Sequence, residues 1–126
     1  MNRDSLIRQF LHDVVTQNAD ALKQYFAADA RVLWHNTNEQ FTAEEYILVN
    51  CEYPGNWLGE VERVEHCGDM SVSVARVWSI DDGVSFHVTS FFDFHNGKIH
   101  TLAEYWSEDG DAPQWRLDKH IGTPIG

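Results

Sequence analysis

The sequence is poor in basic residues and in cysteine, and each shortage closes off a class of function. Nine Lys and Arg stand against twenty Asp and Glu in 126 residues, a formal net charge of −11. Such a chain repels polyanions, so neither nucleic acid nor an anionic membrane surface is expected as a partner. The two cysteines, Cys51 and Cys67, make no CxxC pair and have no zinc-ligand spacing. They are expected to be free, reduced thiols. The amino terminus, MNRDSLIRQF, contains no apolar run of the length that secretion or membrane insertion requires, and a cytoplasmic protein is expected. Low-complexity tracts, internal repeats and linkers are missing too, so one domain over residues 1–126 is expected.

What the chain has in quantity is aromatic rings, 13% of residues with five Trp. Rings in that number either fill a core or line a cavity. Residues 4–17 carry Leu6, Ile7, Phe10, Leu11, Val14 and Val15 at the spacing of an amphipathic helix, with Asp4 or Ser5 as candidate cap. A second short helix is expected after Asn18–Asp20, with Leu22, Tyr25 and Phe26 on one face, and a first strand over 30–36. Thr42-Ala43-Glu44-Glu45 has the pattern of a capping box, and the helix it opens should stop near residue 52, ahead of Tyr53-Pro54-Gly55. Tyr46, Asn50 and Tyr53 then share a helix face.

From Gly59 onward the pattern changes to strands. GEVERVEHC, MSVSVARVWSI, VSFHVTSFFDFH and KIHTLAEYWS are divided by Gly68-Asp69, Asp81-Asp82-Gly83 and Asn96-Gly97, each a turn signal. Helices first and an antiparallel meander afterwards make an α+β fold. The stretch from Glu108 reads as an irregular tail that Trp115 pins down.

The hairpin at Asn96-Gly97 governs where Glu104 points, because a one-residue slip moves a side chain to the other face. A two-residue turn opposes His95 to Lys98 and Glu104 to Thr89, and places Glu104 away from Phe86, Val88, Phe92 and Phe94. A three-residue turn closed by a Gly bulge opposes Phe94 to Lys98 and Glu104 to Val88, and places it on that aromatic face beside Ser90, Leu102 and Trp106. The turn residues suit both.

The order of these elements, with Ala28-Asp29-Ala30 and the core Phe92-x-Phe94-x-x-Gly97-Lys98-Ile99 ahead of an aromatic strand, resembles the SnoaL-like branch of the nuclear transport factor 2-like superfamily. That branch holds polyketide cyclases and stands close to ketosteroid isomerases. The resemblance covers about residues 4–107. It implies a cone: a curved antiparallel sheet wrapped around the N-terminal helices, with an internal pocket, commonly as a homodimer. It also implies a general base on the last strand seven positions after the hairpin glycine, where Glu104 stands, and so favours the bulged hairpin. The cyclases' paired histidine falls near Ser90, and the isomerases' catalytic Asp near Trp34.

A carboxyl enclosed by apolar rings has its pKa raised toward neutrality, which suits a base or acid working without metal or cofactor. Glu104 and His35 are accordingly the candidate catalytic residues, and Tyr46, Asn50 or His35 the candidate donors to an enolate. The bland alternative has Glu104 as a structural acid bonded to a buried Tyr, Trp or Arg76. Candidate ligand contacts are Trp34, Tyr46, Asn50, Tyr53, Trp57, Phe86, Val88, Ser90, Phe92, Leu102 and Trp106. No HxH or HExxH occurs among the seven histidines, so no metal site is expected. The expected protein is a cofactor-independent acid–base enzyme acting on an apolar or aromatic carbonyl compound. The alternatives are a non-catalytic binding module for a small apolar or aromatic ligand, and a dimeric scaffold with a filled pocket.

Overall fold

The first helix is capped two residues ahead of the nearer expected cap, Asp4. Asn2 accepts from the Ser5 amide at 2.8 Å and starts α1 (Arg3–Val15), ahead of Asp4 and Ser5. The computed structural model describes residues 2–126. After α1 come α2 (Ala19–Lys23), β1 (Phe26–Trp34), β2 (Glu39–Thr42), α3 (Ala43–Glu52), β3 (Trp57–Cys67), β4 (Met70–Ser79), β5 (Ser85–His95), β6 (Lys98–Glu108) and α4 (Gln114–Asp118). The six strands form one curved, unclosed sheet in the order β2-β1-β6-β5-β4-β3, with β1 parallel to β6 and every other pair antiparallel. This is the expected α+β arrangement of N-terminal helices on a curved sheet.

Several local expectations hold at the atomic level. Thr42 accepts from the Glu45 amide while the Glu45 carboxylate accepts from the Thr42 amide, so the capping box is complete. Other segments depart from the sequence reading. The second helix ends at Lys23, and Phe26 opens β1 four residues before the expected strand. β2 was not anticipated; Phe41 is its one buried residue. The tail contains α4, and Trp115 on it is 58% exposed, so it pins nothing.

Helices cover the inner face through a core of Ile7, Phe10, Leu22, Phe26, Val32, Tyr46, Phe92, Phe94, Ile99 and Leu102. Gly59 permits α1 to lie directly on β3: a Cβ there would come within 3.1 Å of Val15 and 3.2 Å of Leu11.

The β5–β6 hairpin combines the two readings of its turn. Asn96 and Gly97 both adopt positive φ (53° and 75°), and His95 opposes Lys98, as a two-residue turn requires. The register then shifts: Phe94 opposes Ile99, but Asp93 opposes Thr101, leaving His100 as a bulge. Beyond it Phe92 opposes Leu102 and Ser90 opposes Glu104. One extra residue in β6 therefore turns Glu104 to the inner face although the turn itself has two residues. Neither simple register describes the strand.

Candidate functional site

Glu104 is buried, with 4% exposure. Trp34, its partner in the β1–β6 ladder, donates its indole N–H to one carboxylate oxygen at 3.0 Å. Ser90, opposite on β5, donates its hydroxyl to the other at 2.9 Å. The Tyr46 hydroxyl, brought in by α3, is a third donor. Burial pushes the Glu104 carboxyl up from its ordinary value, and the Trp34, Ser90 and Tyr46 hydrogen bonds only partly oppose this. Burial, reinforced by the Glu104 charge, also drives the Tyr46 hydroxyl well above the usual phenol range. The buried Tyr and Trp partners are those of the structural reading; Arg76 instead lies over the Trp78 ring, 4.6 Å from its centroid.

Two cavities meet near this carboxylate. The inner one, about 20 Å³, is bounded by Ile7, Phe10, Tyr46, Ser73, Val88, Ser90, Phe92, Glu104 and Trp106, among others. It has room for about one water. The outer one, about 230 Å³, is lined by Val14, Val15, Gln17, Trp34, Asn36, Thr37, Asn50, Tyr53, Trp57, Val77, Phe86 and Trp106. Val14 and Trp106 border both. The larger space thus lies over the aromatic wall, with Glu104 behind it.

Trp106 is held by a device invisible in the sequence pattern. β1 ends at Trp34, and two residues on Asn36 continues the ladder with its side chain. Its Oδ1 accepts from the Trp106 amide and its Nδ2 donates to the Trp106 carbonyl, both at 2.7 Å. The Trp106 indole N–H is the one buried side-chain polar atom without a hydrogen-bond partner among the described residues.

The candidate residues therefore divide. Trp34, Asn50, Tyr53, Trp57, Phe86 and Trp106 line the outer cavity. Tyr46, Val88, Ser90, Phe92 and Glu104 border the inner one, and Leu102 is buried in the core. His35 is brought to neither: it is exposed and stacks on the Tyr105 ring at 4.6 Å on the other side of the sheet from Glu104. β1 ends at Trp34, which is turned inward, and His35 lies in the turn that follows. The sequence reading missed Val14, Val15, Gln17, Asn36, Thr37 and Val77.

A separate polar cluster joins half-buried His87 on β5 and Asp109 just after β6 to exposed Glu62 on β3. His87 contacts Asp109 through Nδ1 and Glu62 through Nε2, the latter at 3.2 Å. The Asp109 hydrogen bond, with Glu62 adding to it, raises the imidazole above its ordinary 6.5. An NMR titration should place His87 above that value, and Asp109→Asn should bring it down; an unchanged midpoint would reject the pairing. Among the described residues no three His, Cys, Asp or Glu side chains are grouped to hold a metal ion, and no described helix is long and apolar enough to cross a membrane.

No family model matches the chain, and no curated protein matches it. Solved structures do. A candidate ketosteroid isomerase from Kribbella flavida is 21% identical, with a TM-score of 0.79 over 97% of this chain and 88% of that one. A protein of ketosteroid isomerase-like fold from Catenulispora acidiphila, in complex with trimethylamine, is 16% identical, with a TM-score of 0.67 over 78% of this chain and 82% of the other. A candidate SnoaL-like polyketide cyclase from Jannaschia sp. CCS1 is 17% identical, with a TM-score of 0.61 over 94% of this chain and 95% of its own. These likenesses establish the nuclear transport factor 2-like fold.

Proposed function

We propose that this chain, a nuclear transport factor 2-like fold of the kind found in SnoaL-like cyclases and ketosteroid isomerases, holds a small, largely apolar ligand in its outer cavity. The observation that carries this reading is the 230 Å³ space walled by Trp34, Tyr53, Trp57, Phe86 and Trp106. A scaffold would have filled it. Its size, below the roughly 300–1,000 Å³ of drug-sized sites, restricts the occupant to a compact molecule. A trimethylamine complex in this fold is in keeping with an occupant of that scale. The test is saturable quenching of Trp fluorescence by a panel of small neutral ketones, alcohols, arenes and amines, with Trp106→Leu as control. At least one class should saturate on the native chain and weaken about tenfold or more on the variant. A panel with no saturating member would reject the reading.

A second reading, acid–base chemistry at Glu104 on a carbonyl compound, is favoured by the raised carboxyl pKa. The inner cavity, which Glu104 borders, shares Val14 and Trp106 with the outer one, so these two side chains stand between the carboxyl and a ligand. General acid–base catalysis contributes about 10²–10⁴-fold. Deuterium exchange at the α-carbon of any ketone that binds should therefore fall by that factor in Glu104→Gln with affinity retained. Equal exchange in both chains assigns the carboxylate a structural role. Pairing of two copies through exposed Phe91 and Tyr105 belongs to the same proposal, and sedimentation velocity decides it.

A further inference from the structure

The outer cavity is walled largely by aromatic rings and carries no cationic side chain. Its aromatic residues form a continuous arc: Trp34 meets Trp106 at 6.4 Å between centroids, Trp106 meets Phe86 at 6.2 Å, Phe86 meets Trp57 at 6.0 Å, and Trp57 meets Tyr53 at 5.6 Å. Aromatic faces carry the negative part of the ring quadrupole, and indole has the strongest. The positive poles of the three indoles are withdrawn from the space. Trp34 gives its N–H to Glu104, Trp57 gives its own to the Pro54 carbonyl at 2.8 Å, and the Trp106 N–H has no accessible surface.

Most of the polar hydrogens on the wall are engaged within the protein. Gln17 spends its amide nitrogen on the Asn50 and Tyr53 carbonyls, at 3.0 and 2.6 Å. Asn50 directs its amide nitrogen to the Tyr46 carbonyl at 2.8 Å, and Asn36 directs its own to the Trp106 carbonyl. The Thr37 hydroxyl donates to Glu39 at 2.6 Å. Gln17 and Thr37 thus have no side-chain hydrogen left for an occupant, while Asn36 and Asn50 each keep one amide hydrogen. None of the nine Lys and Arg, and none of the seven His, is among the lining residues. Behind Trp34 sits the Glu104 carboxyl, and around the whole lies a chain of net charge −11.

We infer that the ligand of the outer cavity is a cation with an apolar shell, a methylated ammonium group, held by cation–π contact with the ring arc. The inference rests on the outer cavity being a ligand site and adds the sign of the ligand's charge. A neutral apolar body gains contact area from such walls. A quaternary ammonium of the same shape gains the quadrupole attraction in addition, and it needs no hydrogen-bond donor from the walls.

The experiment compares two probes of nearly equal shape on the native chain, choline and its neutral carbon analogue 3,3-dimethylbutan-1-ol, by Trp fluorescence quenching and calorimetry at matched ionic strength. Choline is expected to bind about tenfold or more tightly, the ratio corresponding to about 1.4 kcal/mol, within the range of desolvated cation–π contacts. Trp57→Leu, at the rim, should reduce that ratio, while Trp57→Phe should retain part of it. Equal affinities, or a preference for the alcohol, overturn the cationic ligand and leave the cavity as a site for neutral molecules. Binding of neither probe overturns the inference, and the neutral panel then determines whether the cavity binds anything.

Discussion

Phe10→Ala is expected to remove about 3–5 kcal/mol of folding stability, the range for truncating a buried aromatic ring. Phe10 is 3% exposed and is the ring on which the helical and sheet layers converge. Its centroid lies 5.3 Å from Tyr25 and 5.8 Å from Phe26, where the chain passes from α2 into β1, 6.3 Å from Tyr46 on α3, and 5.7 Å from Phe92 on β5. Three of the four contacts are edge-to-face and the Tyr46 one is stacked, arrangements worth about 0.5–1.5 kcal/mol each beyond buried area. Domains are stable by only about 5–15 kcal/mol, so the Ala variant should melt far earlier or fail to fold. Phe10→Leu keeps most of the volume and should cost about 1–2 kcal/mol. Urea denaturation of both variants checks the pair. A loss below about 1 kcal/mol for Ala would mean that the layers are held elsewhere.

The same convergence explains which parts of this molecule are legible in its sequence. Elements fixed by local chemistry are readable. Thr42 and Glu45 close a capping box among neighbours, and Asn96 and Gly97 tolerate the positive φ of their turn whatever surrounds them. β2 is unreadable because four residues with one buried side chain carry no periodicity; the strand exists because β1 offers an edge to pair with. Phe26 fits an apolar helix face by spacing, yet α2 ends at Lys23 and the ring is used by the core from the first position of β1. The bulge at His100 left a faint mark: buried Ile99 and Leu102 stand three apart in a strand where inward residues should stand two apart. That spacing, set beside the strict alternation of Ser90, Phe92 and Phe94, indicates a register shift, and with it the inward Glu104. The outer cavity left no such mark. Val14 and Val15 come from a helix, Val77 from β4 and Thr37 from a loop, and only the folded chain brings them together.

Glu104 supplies the other large effect, and its sign depends on pH. Glu104→Ala removes the acceptor of the Trp34 indole, the Ser90 hydroxyl and the Tyr46 hydroxyl at a buried position. Each stranded donor costs about 1–3 kcal/mol, so a loss of about 3 kcal/mol or more is expected. Glu104→Gln keeps the shape and one carbonyl oxygen, and at low pH it should lie within about 1 kcal/mol of the native chain, whose Glu104 is then a neutral acid of similar size. Raising the pH separates them. Burial lifts the folded-state pKa of Glu104 above its ordinary 4.5, so between those two values the native state binds more protons than the unfolded state. The contribution of Glu104 to stability is therefore greatest below pH 4.5, falls as pH rises through the folded pKa, and levels off above it. Gln has no proton to lose, and the His87 cluster, present in both chains, cancels in the difference. The Gln variant should thus gain on the native chain across that window when urea midpoints are followed from pH 4 to 8. Parallel curves would show the carboxyl unperturbed. A native chain that gains on Gln with rising pH would show that the three hydrogen bonds to the carboxylate outweigh its burial, which would remove the case for a raised pKa at Glu104 and leave the residue as the polar anchor behind the Trp34 wall.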